Sequence, residues 1–474
     1  MTWITTERDR IVQPNVILIV LDTVRVLNLS CYGYPLAKTP WLNRIIGEGT
    51  LFSEAITPSP WTIPSHASLF TGLYPSQHGV NRMGDKLDGS YVTLAECLTG
   101  AGYTTIGASA NSFISPRFGF DRGFNEFFVG WQVFQQEDAT PIKQTVNKLY
   151  VKFFEKRYDK GAWIVTRAVQ RWLHRSRSQR PFFLFVNYLD AHLPYRPPIG
   201  YRQFFPDDIS WQETQKVNQN AWCYISGLTA MTERDFRVLT ALYDAEIRYV
   251  DAQVGRVYRA LQDNGLLEET LLIITSDHGE NIGEHDLMDH QYCLYDTLLR
   301  VPLIIRYPMA FGVGEVVKDH VSLLDVLPTI VDLLGLNRVE QTWEGYSLLQ
   351  SVDRDYTLAE YLAPQPSMAS LQTEGAYTPT MERFNRQLRC IRTERHKYIM
   401  GSDGTQELYD LQSDVGETVN LVERLPQVAT HLRDQICNKL GEFPMDLKSQ
   451  RVSSEETEKD KAIIEQRLRD LGYI

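Results

Sequence analysis

Five short, nearly uninterrupted apolar runs constrain this chain more than any other feature. They are "NVILIVLD" at Asn15–Asp22, "YTTIGASA" from Tyr103, "PFFLFVNYLD" at Pro181–Asp190, "TLLIITSD" at Thr270–Asp277 and "VPLIIRYP" at Val301–Pro308. Strands that alternate apolar and polar residues expose one face; continuous Val/Ile/Leu/Phe runs belong to strands covered on both faces. Helical patterns separate the runs, which makes parallel neighbours the expectation. Between Ala241 and Leu261, Leu242, Ile247, Val250, Val254 and Val257 recur at helical intervals, and Gly265 follows as a stop signal before the next strand. The fold class is α/β: a large mixed, mostly parallel sheet wrapped by helices.

At 474 residues the chain exceeds the size at which one core stops growing. The strand pattern assigns residues 1–355 to a large α/β domain, with helical insertions near 133–179 and 204–234. Residues 356–474 form a smaller C-terminal α+β domain: a polar loop to about Thr380, antiparallel strands in "LRCIRTERHKYIM" and "QELYDLQSD", and a closing charged helix. A net charge of −11 argues against a nucleic-acid partner. The six cysteines show no CxxC pair and no metal-ligand spacing, so they read as buried thiols of a reducing compartment. The N-terminal apolar run is too short and too charged at its flank for a signal peptide or a membrane span. The expectation is a cytoplasmic protein with no integral membrane segment.

Open α/β sheets bind ligands outside the carboxyl ends of their strands. Three runs here end in residues suited to chemistry: Asp22 closes the first, Asp190 and His192 follow the third, and Asp277-His278 close the fourth. A lone Asp or His at such a place is more often a cap. Together, Asp22, Asp277 and His278 make a mixed oxygen and nitrogen set for one divalent cation, with Mn, Zn, Mg and Ca all compatible. Thr62, in "SPWTIPSHASLFTG", stands where a helix begins. A cation on its oxygen, with helix amides behind it, would favour the alkoxide of an otherwise poor nucleophile. The plain alternative is a helix cap ahead of Pro64.

The order of eight blocks, among them "TIPSHASLFTGLYPSQHGV", "YLDAHLPYRPP", "TSDHGENIGEH" and "LYDTLLRVPLIIRYP", resembles the sulfatase branch of the alkaline phosphatase superfamily through most of the chain. The resemblance implies an alkaline phosphatase-like α/β domain with a smaller C-terminal sheet domain. It implies hydrolysis or transfer of sulfate, phosphate or phosphonate esters at a metal site, and it allows a homo-oligomer. Asp22, Asp277 and His278 fall at ligand positions and Thr62 at the nucleophile position. His192 resembles a substrate-contacting histidine, and His290 falls near a Lys or His that meets the ester oxygens or the leaving group. Asn81 falls where a substrate contact is expected, while His78 and His285 read as structural.

The departures are chemical. Sulfatases carry a Cys or Ser, oxidised to formylglycine, within Cys/Ser-x-Pro-x-Arg; here Thr62 replaces the first residue and His66 the arginine, and Thr23 stands where a second aspartate is common. Threonine cannot become that aldehyde. A fixed cationic fork would become a titratable donor at His66. The reading that follows is hydrolysis of a small anionic phosphodiester or phosphonate monoester through a covalent Thr62 intermediate. The alternatives are a sulfatase working without formylglycine, a phospho-group transferase, and a non-catalytic anion-binding protein.

Overall fold

The computed structural model describes residues 13–36, 38–130, 159–175, 181–336, 342–373 and 375–444. Its main sheet uses β1 (Asn15–Leu21), β2 (Thr50–Ile56), β3 (Thr104–Ser109), β4 (Glu126–Val129), β5 (Phe182–Tyr188) and β6 (Thr270–Thr275). A two-residue hairpin, β7 (Asn281–Ile282) and β8 (Met288–Asp289), stands apart, and β9 (Leu303–Arg306) and β10 (Glu315–Ser322) complete the sheet. Strand order is β10-β2-β9-β6-β1-β5-β3-β4. All eight strands run one way except β9, which is antiparallel to both neighbours.

The central strands β1, β5 and β6 are buried at every residue, as their unbroken apolar runs predict. The run Val301–Pro308 is a strand as expected, and its antiparallel direction is what makes the mostly parallel sheet a mixed one. β2, β4 and β10 went unread because their burial is mixed: β10 exposes or half-exposes its first six residues at the sheet edge.

The helix predicted over Ala241–Leu261 extends over Glu233–Asp263, capped by Thr232 and Asp235 in a reciprocal box. Gly265 follows at φ +66. Of the insertion near 133–179, residues 133–158 and 176–179 lie outside the described residues, and the described part is the helix Ala162–Arg175. The stretch 204–234 holds only two short helices, Trp211–Thr214 and Ala221–Ile225, among turns before the long helix starts.

The second sheet is antiparallel, β11 (Tyr356–Tyr361), β12 (Leu388–Thr393), β13 (His396–Gly401) and β14 (Gln406–Asp410) in that order. β11 lies where the sequence suggested loop. The helix Pro426–Leu440 buries Ala429, Leu432 and Ile436 with Ile391, Tyr398 and Leu408 of this sheet, and Tyr74 and Leu324 of the larger unit join the same core. Buried charge also joins the two sheets. Lys397, with no exposed side chain, places Nζ 2.8 Å from both Asp296 and Glu417, and Arg392 pairs with Asp296 and Glu54.

None of the six cysteines is in a disulfide. Among the described residues no helix is long and apolar enough to cross a membrane.

Candidate active site

Four neighbouring parallel strands, β6, β1, β5 and β3, end on the same side of the sheet, and each delivers a polar side chain there. Asp22 follows β1, its amide donating to Tyr188 O at 2.9 Å. Its Oδ2 accepts from Asn111 Nδ2, just past β3, at 2.6 Å. Asp277 and His278 follow β6. Asp277 Oδ1 accepts from the amides of Thr23 at 3.3 Å and His278 at 3.0 Å. His278 Nδ1 donates to Gly279 O at 3.0 Å, since a carbonyl can only accept, which leaves Nε2 bare.

One ligand atom of each residue faces those of the other two. Asp22 Oδ1 and Asp277 Oδ2 are buried without a hydrogen-bond partner. His278 Nε2 lies 3.3 Å from Asp277 Oδ2 and 3.8 Å from Asp22 Oδ1, and one ligand atom from each of the three residues lies within 4.8 Å of the others. Burial pushes the Asp22 carboxyl up to about 7, against the lowering effect of Asn111. Asp277 is raised well above its ordinary range by burial and by Asp22, and His278 is lowered well below its own by burial. Two buried carboxylates beside a neutral imidazole are costly alone and suited to a divalent cation.

Thr62 opens the helix α2 (Thr62–Thr71) and directs Oγ1 to within 3.2 Å of His278 Nε2. The loop from β2 places it there. Ser65 Oγ, one turn on, donates to Asp277 O at 2.7 Å and pins the helix start to the end of β6. The first amides of the helix have no intrahelical acceptor and turn their positive end to the same point. At its far end Gly72 takes φ +70, where a Cβ would come within 2.9 Å of Trp343.

His192 and His290 reach the same centre. The His290 ring lies 4.4 Å from that of His278 and 4.9 Å from that of His192. Burial alone would lower His290, yet Asp289 and Glu280 beside Nδ1 hold it well above its ordinary value. Burial, with His290 adding to it, pushes His192 down to about 3. Its Nδ1 contacts Leu193 O.

His66 departs from its sequence-based role. Its Nδ1 donates to Thr62 O at 2.9 Å and its Nε2 accepts from Asn187 Nδ2 at 3.3 Å, so both nitrogens are engaged inside the protein. Phe120 and Phe185 pack edge-on against the ring, and burial pushes it down to about 4. It backs Asp277, 3.4 Å away, and is no anion-facing donor. Asn81 donates Nδ2 to Pro75 O at 2.9 Å and takes Asp85 on its amide, serving its own loop. Asp190 receives the amides of Lys160 and Ala162 at a helix start. Thr23, at φ +60, gives Oγ1 to Ala191 O at 2.8 Å. His78 bridges Ser68 and Val80, and His285 stacks on Tyr295 at 3.6 Å.

Sequence reasoning missed Asn111, Glu280, Asp289 and a brace behind His192. Asn111 stands two residues past β3, so the strand-end rule applied to every run would have found it. The brace is Glu246, which takes the amides of Ala191 and Arg196 and binds Lys160 Nζ at 2.6 Å, while Lys160 also donates to His192 O. Nothing in the local sequence marks it apart from a buried face of the long helix.

The sulfatase family model matches residues 14–336. The chain belongs to the sulfatase family. A model of the C-terminal region of N-sulphoglucosamine sulphohydrolase matches residues 283–443. Arylsulfatase K of Bos taurus is 28% identical over 462 residues, covering 91% of this chain and 82% of that protein. Among solved structures, the phosphonate monoester hydrolase of Agrobacterium radiobacter superposes with a TM-score of 0.72 at 24% identity, over 90% of this chain and 95% of that one. BT4656, solved with its substrate D-glucosamine-2-N,6-O-disulfate, gives 0.69 at 20% identity, over 90% and 97%. This sulfatase-family protein is therefore a hydrolase of ester bonds on an alkaline phosphatase-like fold, and the Asp22–Asp277–His278 set fits the divalent cation that such enzymes generally bind.

Proposed function

We propose that this protein hydrolyses a phosphodiester or phosphonate monoester through a covalent ester on Thr62. The observation that carries the reading is Thr62 Oγ1, 3.2 Å from His278 Nε2, at the mouth of a helix and beside two buried carboxylate oxygens without partners. A divalent cation held there by Asp22, Asp277, His278 and the Thr62 oxygen supplies positive charge that favours alkoxide over hydroxyl.

Thr62, its proton passed to water, attacks phosphorus. The Oγ1–P bond forms as the bond to the leaving oxygen breaks. The His290 ring stands beside His278 and the His192 ring beside His290, where one can donate a proton to that oxygen. A threonine ester cannot collapse to an aldehyde, so water must then attack phosphorus, break the Oγ1–P bond and restore Thr62. The α2 amides stabilise charge on the transferred group in both steps. A small anionic ester is the substrate class this requires.

A second reading, sulfate monoester hydrolysis at the same site, is favoured by the family and by the naming of Arylsulfatase K. Turnover of nitrophenyl sulfate, nitrophenyl phosphate, bis-nitrophenyl phosphate and nitrophenyl phenylphosphonate by metal-reconstituted enzyme separates the two. Preference for the diester or phosphonate, lost in Thr62→Ala, is the expected result. Preference for the sulfate would overturn the phosphorus assignment, and equal turnover by Thr62→Ala would overturn the covalent step.

A further inference from the structure

A second group of ligating side chains lies beside the first, and of its members only His290 has a task in the chemistry just described. The hairpin of β7 and β8 pairs Asn281 with Asp289, which brings Glu280, just before β7, against Asp289 and His290 at the end of β8. All three side chains are buried, and one ligand atom of each lies within 4.8 Å of the others. Both carboxylate oxygens of Glu280 lack a hydrogen-bond partner at 0% exposure. The Tyr195 hydroxyl, close enough to Glu280 and Asp289 to feel their charge, is also buried without a partner, as are both amide atoms of Gln291.

The neighbouring cation does not explain this arrangement. Arg25 donates Nη1 to the backbone oxygen of Glu280 and to Glu284, and Nε to Asn28, so it makes no bond to the Glu280 carboxylate. His290 Nδ1 faces both carboxylates, touching Asp289 Oδ1 and lying 3.6 Å from Glu280 Oε1. Even as an imidazolium, His290 would balance only one of the two negative charges. Full desolvation of an unpaired carboxylate costs several kcal/mol.

We propose that Glu280, Asp289 and His290 hold a second divalent cation, of the Mn2+ or Zn2+ class, next to the one held by Asp22, Asp277 and His278. Two carboxylates and one imidazole suit those ions better than the all-oxygen sets of Ca2+ or Mg2+. Coordination through Nδ1 fixes the His290 tautomer, leaving Nε2–H as a donor on a ring 4.4 Å from that of His278. The consequence for catalysis rests on the function proposed above: a second cation beside the first would add positive charge next to the group transferred to Thr62.

The test counts metal and does not need turnover. Full-length protein is stripped with chelator, dialysed against Mn2+ and assayed for bound metal, with electron paramagnetic resonance as a second readout. Wild type is expected to bind two Mn2+ per chain with a spin-coupled spectrum. Glu280→Gln and Asp289→Asn should each bind one with an uncoupled spectrum, Asp22→Asn should keep one, and Glu280→Gln combined with Asp22→Asn should bind none. Thermal melts of the stripped proteins check folding. A single Mn2+ in wild type that survives Glu280→Gln and is lost in Asp22→Asn would overturn this inference and leave the proposed function standing. A single Mn2+ lost in Glu280→Gln and kept in Asp22→Asn would uphold this site and overturn the first. Two Mn2+ in both wild type and Glu280→Gln would refute the ligand assignment.

Discussion

Replacing Asn111 with alanine tests the site without touching a proposed ligand. Asn111 Nδ2 donates to Asp22 Oδ2 at 2.6 Å, a charge-assisted bond that fixes the carboxylate and leaves Oδ1 free. Such a bond contributes about 1.5–3 kcal/mol. It also opposes the burial that pushes the Asp22 carboxyl up to about 7, so its loss makes the ionised form harder to reach. At about 1.36 kcal/mol per factor of ten, the expected loss in Mn2+ affinity is roughly 10- to 150-fold. That range overlaps the roughly 10- to 100-fold effect typical of a residue that orients a metal ligand. Isothermal titration of the metal-stripped protein at neutral pH measures it. Because Asn111 Oδ1 also accepts from the Phe113 amide at 2.9 Å, Asn111→Asp is the companion: it keeps that acceptor, loses the donor and sets a second carboxylate against Asp22. Both variants should bind weakly. If Asn111→Ala binds Mn2+ as tightly as wild type, Asp22 is not a ligand oriented in the way described here.

Thr62→Ala should reduce turnover to background while metal analysis still finds cation at the Asp22 centre, because both carboxylates and the imidazole remain. His66→Arg should lower the melting temperature and leave anion binding no stronger, since the new cation would enter a buried pocket against Phe120 and Phe185; a lower KM with unchanged stability would contradict the position assigned to His66. Lys397→Met leaves Asp296 and Glu417 buried without their shared cation, and a loss of about 3–5 kcal/mol is expected from urea unfolding. His78 supplies a pH signature. Burial pushes it down to about 3 in the folded state against about 6.5 in the unfolded chain, so the folded state resists its protonation. Its contribution is therefore neutral above pH 6.5 and becomes destabilising as pH falls toward 3, at about 1.4 kcal/mol per pH unit. The urea midpoint of His78→Gln should fall less steeply over that window than that of wild type.

What could be read from the residues follows from how local each signal is. β1, β5 and β6 announce themselves because burial on both faces leaves no room for polar residues, and the polar residues that end them mark the site. β10 is an edge strand whose "EVVKDHVS" looks like any solvated segment, and the reversed direction of β9 depends on pairing that no run of residues encodes. His66 follows Thr62 by four positions, which places both on one face of α2 without saying which faces the cleft. Its neighbours Asn187 and Phe185 come from a strand more than a hundred residues away. Glu280 and Asp289 meet through a hairpin of two-residue strands, too short for any periodicity to reveal.

The pairing of Lys397 with Asp296 spans 101 positions. Asp296 lies six residues beyond His290, at the start of the segment that carries the chain from the site back into β9. The second sheet is therefore the footing of a loop it does not catalyse through. Truncating the chain before β11 would strip a lysine and an arginine from carboxylates in the larger unit, and the resulting inactivity would mimic the loss of a substrate-binding domain. Chimaeras between relatives should exchange the 288–300 segment and the β12–β13 hairpin as one module, since either inherited alone brings charge without its counterion.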